Sequence, residues 1–133
     1  MKRSILVLIV ALLAGCAAQP DSKVDDAIED FVAVSQLEEL DSIKSREQFG
    51  ISELSERYIL LTTRKDTYLA RFTRRCYELN ENQVTPDIRF DRWTLRARFD
   101  TIRGCRIEKF FAIDAAQAEE LEMLAMSRSP ERG

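Results

Sequence analysis

Tyr58-Ile59-Leu60-Leu61-Thr62-Thr63-Arg64-Lys65-Asp66-Thr67-Tyr68-Leu69-Ala70-Arg71-Phe72 is the run whose reading decides the fold class. Its two arms, Tyr58 to Thr63 and Thr67 to Phe72, are rich in β-branched and aromatic residues, which fit a pleated, half-buried surface. Arg64-Lys65-Asp66 between them suits a short turn. The run therefore predicts an antiparallel hairpin. Further on, Trp93, Leu95, Ala97 and Phe99 alternate with Thr94, Arg96, Arg98 and Asp100, the cleanest two-residue period in the chain. After a turn at Thr101 to Gly104, Cys105, Ile107, Lys109, Phe111 and Ile113 alternate with Arg106, Glu108, Phe110 and Ala112. This predicts a second hairpin.

Helices flank the strands. Val24, Ala27, Ile28, Phe31 and Val34 share one face at helical spacing, and Leu37 and Leu40 extend it. Ser22 and Asp25 form a capping pattern at its start, and Asp25, Asp26, Glu29 and Asp30 crowd the first turns, where the helix dipole favours negative charge. A helix from Ser22 to about Leu40 follows, packed on the domain through its apolar face. Asp41 to Glu56 reads as a linker broken by Gly50. Thr73 to Leu79 reads as a helical turn or bend, and Asn80 to Asp87, with Pro86, as a loop. Asp114 and Gln117 cap a helix from Ala115 to about Met126, buried through Ala118, Leu121 and Ala125. The expected architecture is α+β: a four-stranded antiparallel meander with an N-terminal and a C-terminal helix on one face.

The start of the chain gives an address. Lys2 and Arg3 precede an apolar run from Ile5 to Leu13, too short for the roughly 20 residues of a membrane span. Leu13-Ala14-Gly15-Cys16 follows, which resembles the lipobox read by bacterial lipoprotein processing. The resemblance implies a diacylglycerol thioether on Cys16, cleavage after Gly15 and acylation of the new amino terminus. Several acyl chains make a stable anchor, since each buried methylene contributes about 0.8 kcal/mol. An ordinary secretory signal that happens to hold a Cys is the rival reading. Ala17 after the Cys, by the sorting rule of Gram-negative lipoproteins, implies the outer membrane, facing the periplasm. The expected division is a removed signal peptide at 1–15, a lipidated tether at 16–21, one α+β domain at 22–126 and a frayed tail at 127–133.

The 133 residues carry 20 basic and 23 acidic side chains. They are unevenly placed. Asp21 to Glu47 holds nine acids and three bases, whereas Arg57 to Lys109 holds thirteen bases and seven acids. The two parts either lie against each other or leave a basic face for an anionic partner. Apart from Cys16, Cys76 and Cys105 are the only thiols, an even pair in an oxidising compartment. They predict a disulfide closing about 30 residues, worth about 3 kcal/mol in the chain-entropy account. Two separately buried thiols are the alternative.

Catalytic patterns are scarce. No His is present, which removes Ser-His and Cys-His pairs and His-containing metal sites. The four glycines stand apart and form no phosphate loop. Asp25/Asp26, Glu38/Glu39 and Glu119/Glu120 are paired carboxylates best read as solvated faces. Asp87, Asp91 and Asp100 lack the spacing of a Ca²⁺ loop. No catalytic residue, metal site or cofactor is assigned, apart from the covalent lipid on Cys16.

The candidate binding residues are Arg92, Trp93, Arg96, Arg98, Arg103 and Arg106, with Arg89, Arg74 and Arg75 nearby. Arginine offers a planar fork for carboxylate and phosphate, and Trp93 can stack or pack. The partners this pattern admits are an envelope protein, peptidoglycan or an anionic lipid; the compartment argues against nucleic acid. The alternative is that Trp93 is core and the arginines are solvated or paired with the acidic helix. The expected function is a non-enzymatic outer-membrane lipoprotein that binds or supports an envelope component through this basic face. One rival is an inhibitor of an envelope-targeting hydrolase such as lysozyme, acting through the acidic N-terminal helix. Another is a hydrolase using carboxylates such as Asp91 or Asp100.

The lipobox at Cys16, Tyr58-Ile59-Leu60-Leu61-Thr62-Thr63, Tyr68-Leu69 ahead of Cys76, and Cys105-Arg106-Ile107 together resemble a group of small Gram-negative lipoproteins filed as a domain of unknown function, number 6491. The resemblance supports location and disulfide and carries no activity, cofactor or catalytic residue with it.

Overall fold

A computed structural model of the chain describes residues 20–45, 48–80, 88–89 and 94–128. The signal segment, Cys16, Arg92, Trp93, most of the expected 80–87 loop and the expected tail beyond residue 128 lie outside the described residues.

The chain runs α1 (Pro20–Ser35), β1 (Glu38–Leu40), β2 (Ser42–Lys44), β3 (Gly50–Glu53), β4 (Tyr58–Thr62), β5 (Thr67–Phe72), a short 3-10 turn (Tyr77–Asn80), β6 (Ile88–Arg89), β7 (Thr94–Arg96), β8 (Thr101–Ile102), β9 (Cys105–Ile113) and α2 (Ala115–Arg128). The class is α+β, as expected, with two helices, an antiparallel sheet and the Cys76–Cys105 disulfide.

The sheet is larger than a four-stranded meander and differently connected. Its order among the described residues is β3-β4-β5-β9-β8-β6, with β1 also paired to β9, and β2 and β7 form a separate ribbon. The first hairpin stands as predicted: β4 and β5 pair in register from Tyr58–Arg71 to Thr62–Thr67. Its turn is closed by the Thr63 amide donating to the Asp66 carbonyl at 2.8 Å, while Thr63 Oγ1 accepts from the Asp66 amide at 3.0 Å.

The second hairpin differs. Thr94–Arg96 pairs with Ser42–Lys44, not with the last strand. The long β9 instead pairs with β5, from Thr67–Ile113 to Phe72–Ile107. Ala97–Phe99 form a turn and not more strand. Leu95 and Ala97 are buried as the alternation predicts, but Phe99 is 76% exposed. The tight hairpin lies one step later, where β8 meets β9 through Arg103 and Gly104, both with positive φ (50° and 82°). Two left-handed residues match the twist of a two-residue hairpin loop.

The helix prediction at the start ran too long. α1 ends at Ser35, Gln36 turns left-handed (φ 47°), and Leu40 lies in a strand opposite Phe110. Val34, past the edge of the packed face, is 83% exposed. The expected linker also contains β2, with buried Ile43, and β3, which follows buried Phe49 and carries half-buried Ile51. Ile43 is a single apolar residue among polar ones, and Phe49 and Ile51 alternate over too short a run to show a period. The last helix keeps its cap: the Gln117 amide donates to Asp114 Oδ1 at 2.7 Å, and the Asp114 amide donates to Gln117 Oε1 at 3.0 Å.

Two cores flank the central strands. Val24 and Ile28 of α1, Leu121 and Ala125 of α2, and Tyr58, Leu60, Leu69 and Phe111 of the sheet form one. Both helices therefore cover the same face. Ile59, Leu61, Phe72, Ile107 and Phe110 point the other way, onto Ile43, Phe49, Leu95, Ile102 and the disulfide. The sheet is sandwiched, which is why β9 is buried at both Phe110 and Phe111 and breaks the expected alternation.

Candidate functional site

The bend between β3 and β4 holds a polar cluster that the sequence does not announce. Ser55 Oγ accepts the amides of Arg57 (3.2 Å) and Tyr58 (3.1 Å) and donates to Asp25 Oδ1 of α1 at 2.5 Å. Ser55 is fully buried and Asp25 is 6% exposed. Arg75 reaches both Asp25 Oδ2 (3.3 Å) and Glu56 Oε2 (3.7 Å). The Glu56 carbonyl accepts the amide of Cys76 at 2.6 Å. Asp25 thus reaches well beyond its own helix. It is the charged contact by which α1 is pinned to the sheet and to the segment holding the disulfide. A buried carboxylate demands such partners, since an unpaired one costs several kcal/mol.

A second network runs beside it. Arg71 Nε donates to Glu108 Oε2 at 2.6 Å, with Arg57 at 4.0 Å from the same oxygen. The Tyr58 hydroxyl donates to Glu29 Oε1 at 3.5 Å and lies close enough to the Arg71 guanidinium to interact with it. Loss of water pushes the buried Tyr58 phenol above its ordinary value, and Arg71 opposes that. Burial lowers the Arg71 guanidinium, while its bonds to Tyr58 and Glu108 outweigh it and leave a net rise. Tyr58 stays neutral and Arg71 charged.

The expected arginine residues have divergent roles. Arg98, left-handed at φ 70°, lies 3.6 Å from Asp41 across exposed surface. Arg103 Nη1 donates to the Leu79 carbonyl at 2.7 Å and so steadies the 3-10 turn. The Arg96 amide donates to Asp100 Oδ2 at 2.6 Å, which gives Asp100 a turn-closing task. Arg106 is exposed, and its carbonyl accepts the Thr73 amide at 3.0 Å. Arg89 lies in β6, beside β8. Arg75 is drawn inward to Asp25. Arg92 and Trp93 lie outside the described residues.

Acidic leader and basic domain do lie against each other in part: Asp25, Glu39 and Asp41 meet Arg75, Lys109 and Arg98. What the leader leaves exposed is on the helices. Asp26, Glu29 and Asp30 of α1 and Glu119, Glu120 and Glu122 of α2 face water, beside exposed Val34, Met123 and Met126. None of these six carboxylates forms an ion pair among the described residues. The helical layer is acidic, and Arg74, Arg103 and Arg106 are gathered around one end of the sheet, where β5 leaves and β9 begins.

Sequence reasoning missed Ser55, Glu56 and the inward turn of Arg75. Asp25 carried a usable signal: it lies one residue from Val24 and seven from Val32, at the border of the apolar stripe. No helix among the described residues is long and apolar enough to cross a membrane. Residues 1–129 match the sequence model of one family, described as a family of unknown function (DUF6491). No curated protein and no solved structure matches the chain.

Proposed function

For a chain that belongs to the family of unknown function DUF6491, we propose a non-enzymatic lipoprotein, held by Cys16 in the outer membrane and facing the periplasm, that binds or supports an envelope component through its basic end. The observation that carries the reading is the sequence Leu13-Ala14-Gly15-Cys16 set directly ahead of a helix that begins at Pro20. An apolar leader, a lipid-bearing thiol and a three-residue connection leave the domain at the membrane surface. The disulfide fits the same oxidising compartment. The test is crosslinking of the native protein in cells, followed by mass spectrometry, with Arg103→Glu/Arg106→Glu as the comparison. A specific adduct lost in the variant supports the basic end. An adduct retained in full refutes it.

A second reading is favoured by one observation, the exposed acids of the helical layer together with exposed Val34, Met123 and Met126. Acidic side chains around exposed apolar groups suit a cationic protein, as an inhibitor of a basic envelope-targeting hydrolase would require. Changing Asp26, Glu29 and Asp30 to Asn or Gln separates the two: it abolishes capture under this reading and leaves it intact under the first. In the carboxylate-hydrolase reading, Asp100 would also be the acceptor of the Arg96 amide at the β7–β8 turn.

A further inference from the structure

We infer that the basic end of the sheet docks on the anionic phospholipid headgroups of the membrane that anchors the chain. The inference rests on the proposed lipidation of Cys16 and names the partner of the basic end.

Three residues separate Cys16 from Pro20, so the helix starts no more than about 14 Å from the anchored residue even at full extension. Asp25 lies about 8 Å further along the helix axis. It is fixed there by Ser55 at 2.5 Å and Arg75 at 3.3 Å. The segment carrying Arg75 is therefore held near the lipid surface, while the Thr63–Asp66 turn and the start of α2 lie at the other end of the strands.

The near end has a distinctive surface. Thr73 bonds to Arg106, Cys76 is joined to Cys105, and Arg103 holds the Leu79 carbonyl, so two segments are clamped together at three points. Arg74 and Arg106 are exposed there. Tyr77 (62% exposed) follows the disulfide, and Phe99 (76% exposed) sits in the turn whose neighbours, Arg98 and Asp100, bond to Ile107. They are the large aromatic side chains most exposed among the described residues, and both lie beside arginines. Aromatic rings with guanidinium groups are the composition that a headgroup layer accepts: the rings settle among the glycerol and headgroup atoms, and each cation near an anionic surface contributes about 1 kcal/mol. Asp26 opposes this attraction from α1, whereas Asp25 and Glu56 are already matched by Arg75. The tether makes the encounter intramolecular, so a weak surface suffices.

The experiment uses the mature chain from Cys16 onward, coupled through the Cys16 thiol to a maleimide lipid in vesicles. Cys76 and Cys105 are sealed in the disulfide, so coupling is specific. Hydrogen exchange of Thr73 to Tyr77 and Arg98 to Arg106 is then compared on phosphatidylcholine vesicles and on vesicles containing phosphatidylglycerol. The expected result is exchange slowed about tenfold on the anionic vesicles alone, reversed by high salt and by Arg74→Glu/Arg106→Glu but not by Arg74→Lys/Arg106→Lys. Equal exchange on the two vesicles overturns the docking. Because coupling is chemical, that result is independent of whether cells acylate Cys16, which the mass of the native protein decides separately.

Discussion

Asp25 shows how a single side chain can hold the N-terminal helix in place. It accepts from Ser55 and faces Arg75, and both partners belong to segments far away in sequence. Asp25→Ala leaves a buried hydroxyl and a half-buried guanidinium without their acceptor. The expected loss is about 3 kcal/mol by urea unfolding, with Asp25→Asn losing less because it retains an acceptor. Tyr58 makes a prediction about pH. Its phenol is raised above 10.0 by burial, so the unfolded chain releases that proton first as pH climbs. The associated stability is whole below about pH 10 and falls as pH rises toward the raised value. Tyr58→Phe should show a shallower loss between about pH 9 and about pH 11 than the parent; equal slopes would place the effect elsewhere. Neither residue stood out as a site in the sequence. Asp25 matched a capping pattern and Tyr58 a strand, and only the fold reveals that the two lie near the same bend.

At the scale of elements, what was legible was whatever carried its own local chemistry. The β4–β5 hairpin has two apolar arms and a polar turn, and α2 has a reciprocal cap, so the hairpin and the helix start are both legible. The failures share a cause. β2 and β7 are three residues each, and their pairing joins Ile43 to Leu95, segments distant in sequence. No local period encodes that choice. The run from Thr94 looked longer than it is because Phe99 continues the alternation while the backbone turns at Ala97. The β8–β9 hairpin depends on Gly104 at φ 82°. A Cβ there meets no neighbouring atom, so the penalty in Gly104→Ala is purely conformational. About 1 kcal/mol should be lost in thermal unfolding. No loss would mean that the hairpin turns differently.

Across the whole molecule, the sequence divides into an acidic leader and a basic domain, and folding cancels part of that division. Arg75, Arg98 and Lys109 are matched by leader acids, while the helical layer stays acidic and the end near the disulfide stays basic. The expected arginine face was therefore legible as composition but not as geometry, because local spacing cannot say which cations will find partners. The disulfide binds β5's exit to β9's entry, with Cα atoms 5.7 Å apart. Replacing both cysteines by serine should cost about 3 kcal/mol. It should also speed exchange at Thr73 to Leu79 before the rest of the sheet, and uniform exchange would contradict that order.

The central claim is that Cys16 holds this domain at a membrane. The measurement that tests it most directly is the intact mass of the protein extracted from washed membranes of its native host. The expected species begins at Cys16 and carries a diacylglyceryl group and an amide-linked acyl chain, both absent from Cys16→Ala. A chain that retains its leader, or one cleaved near residue 16 without lipid, would contradict it.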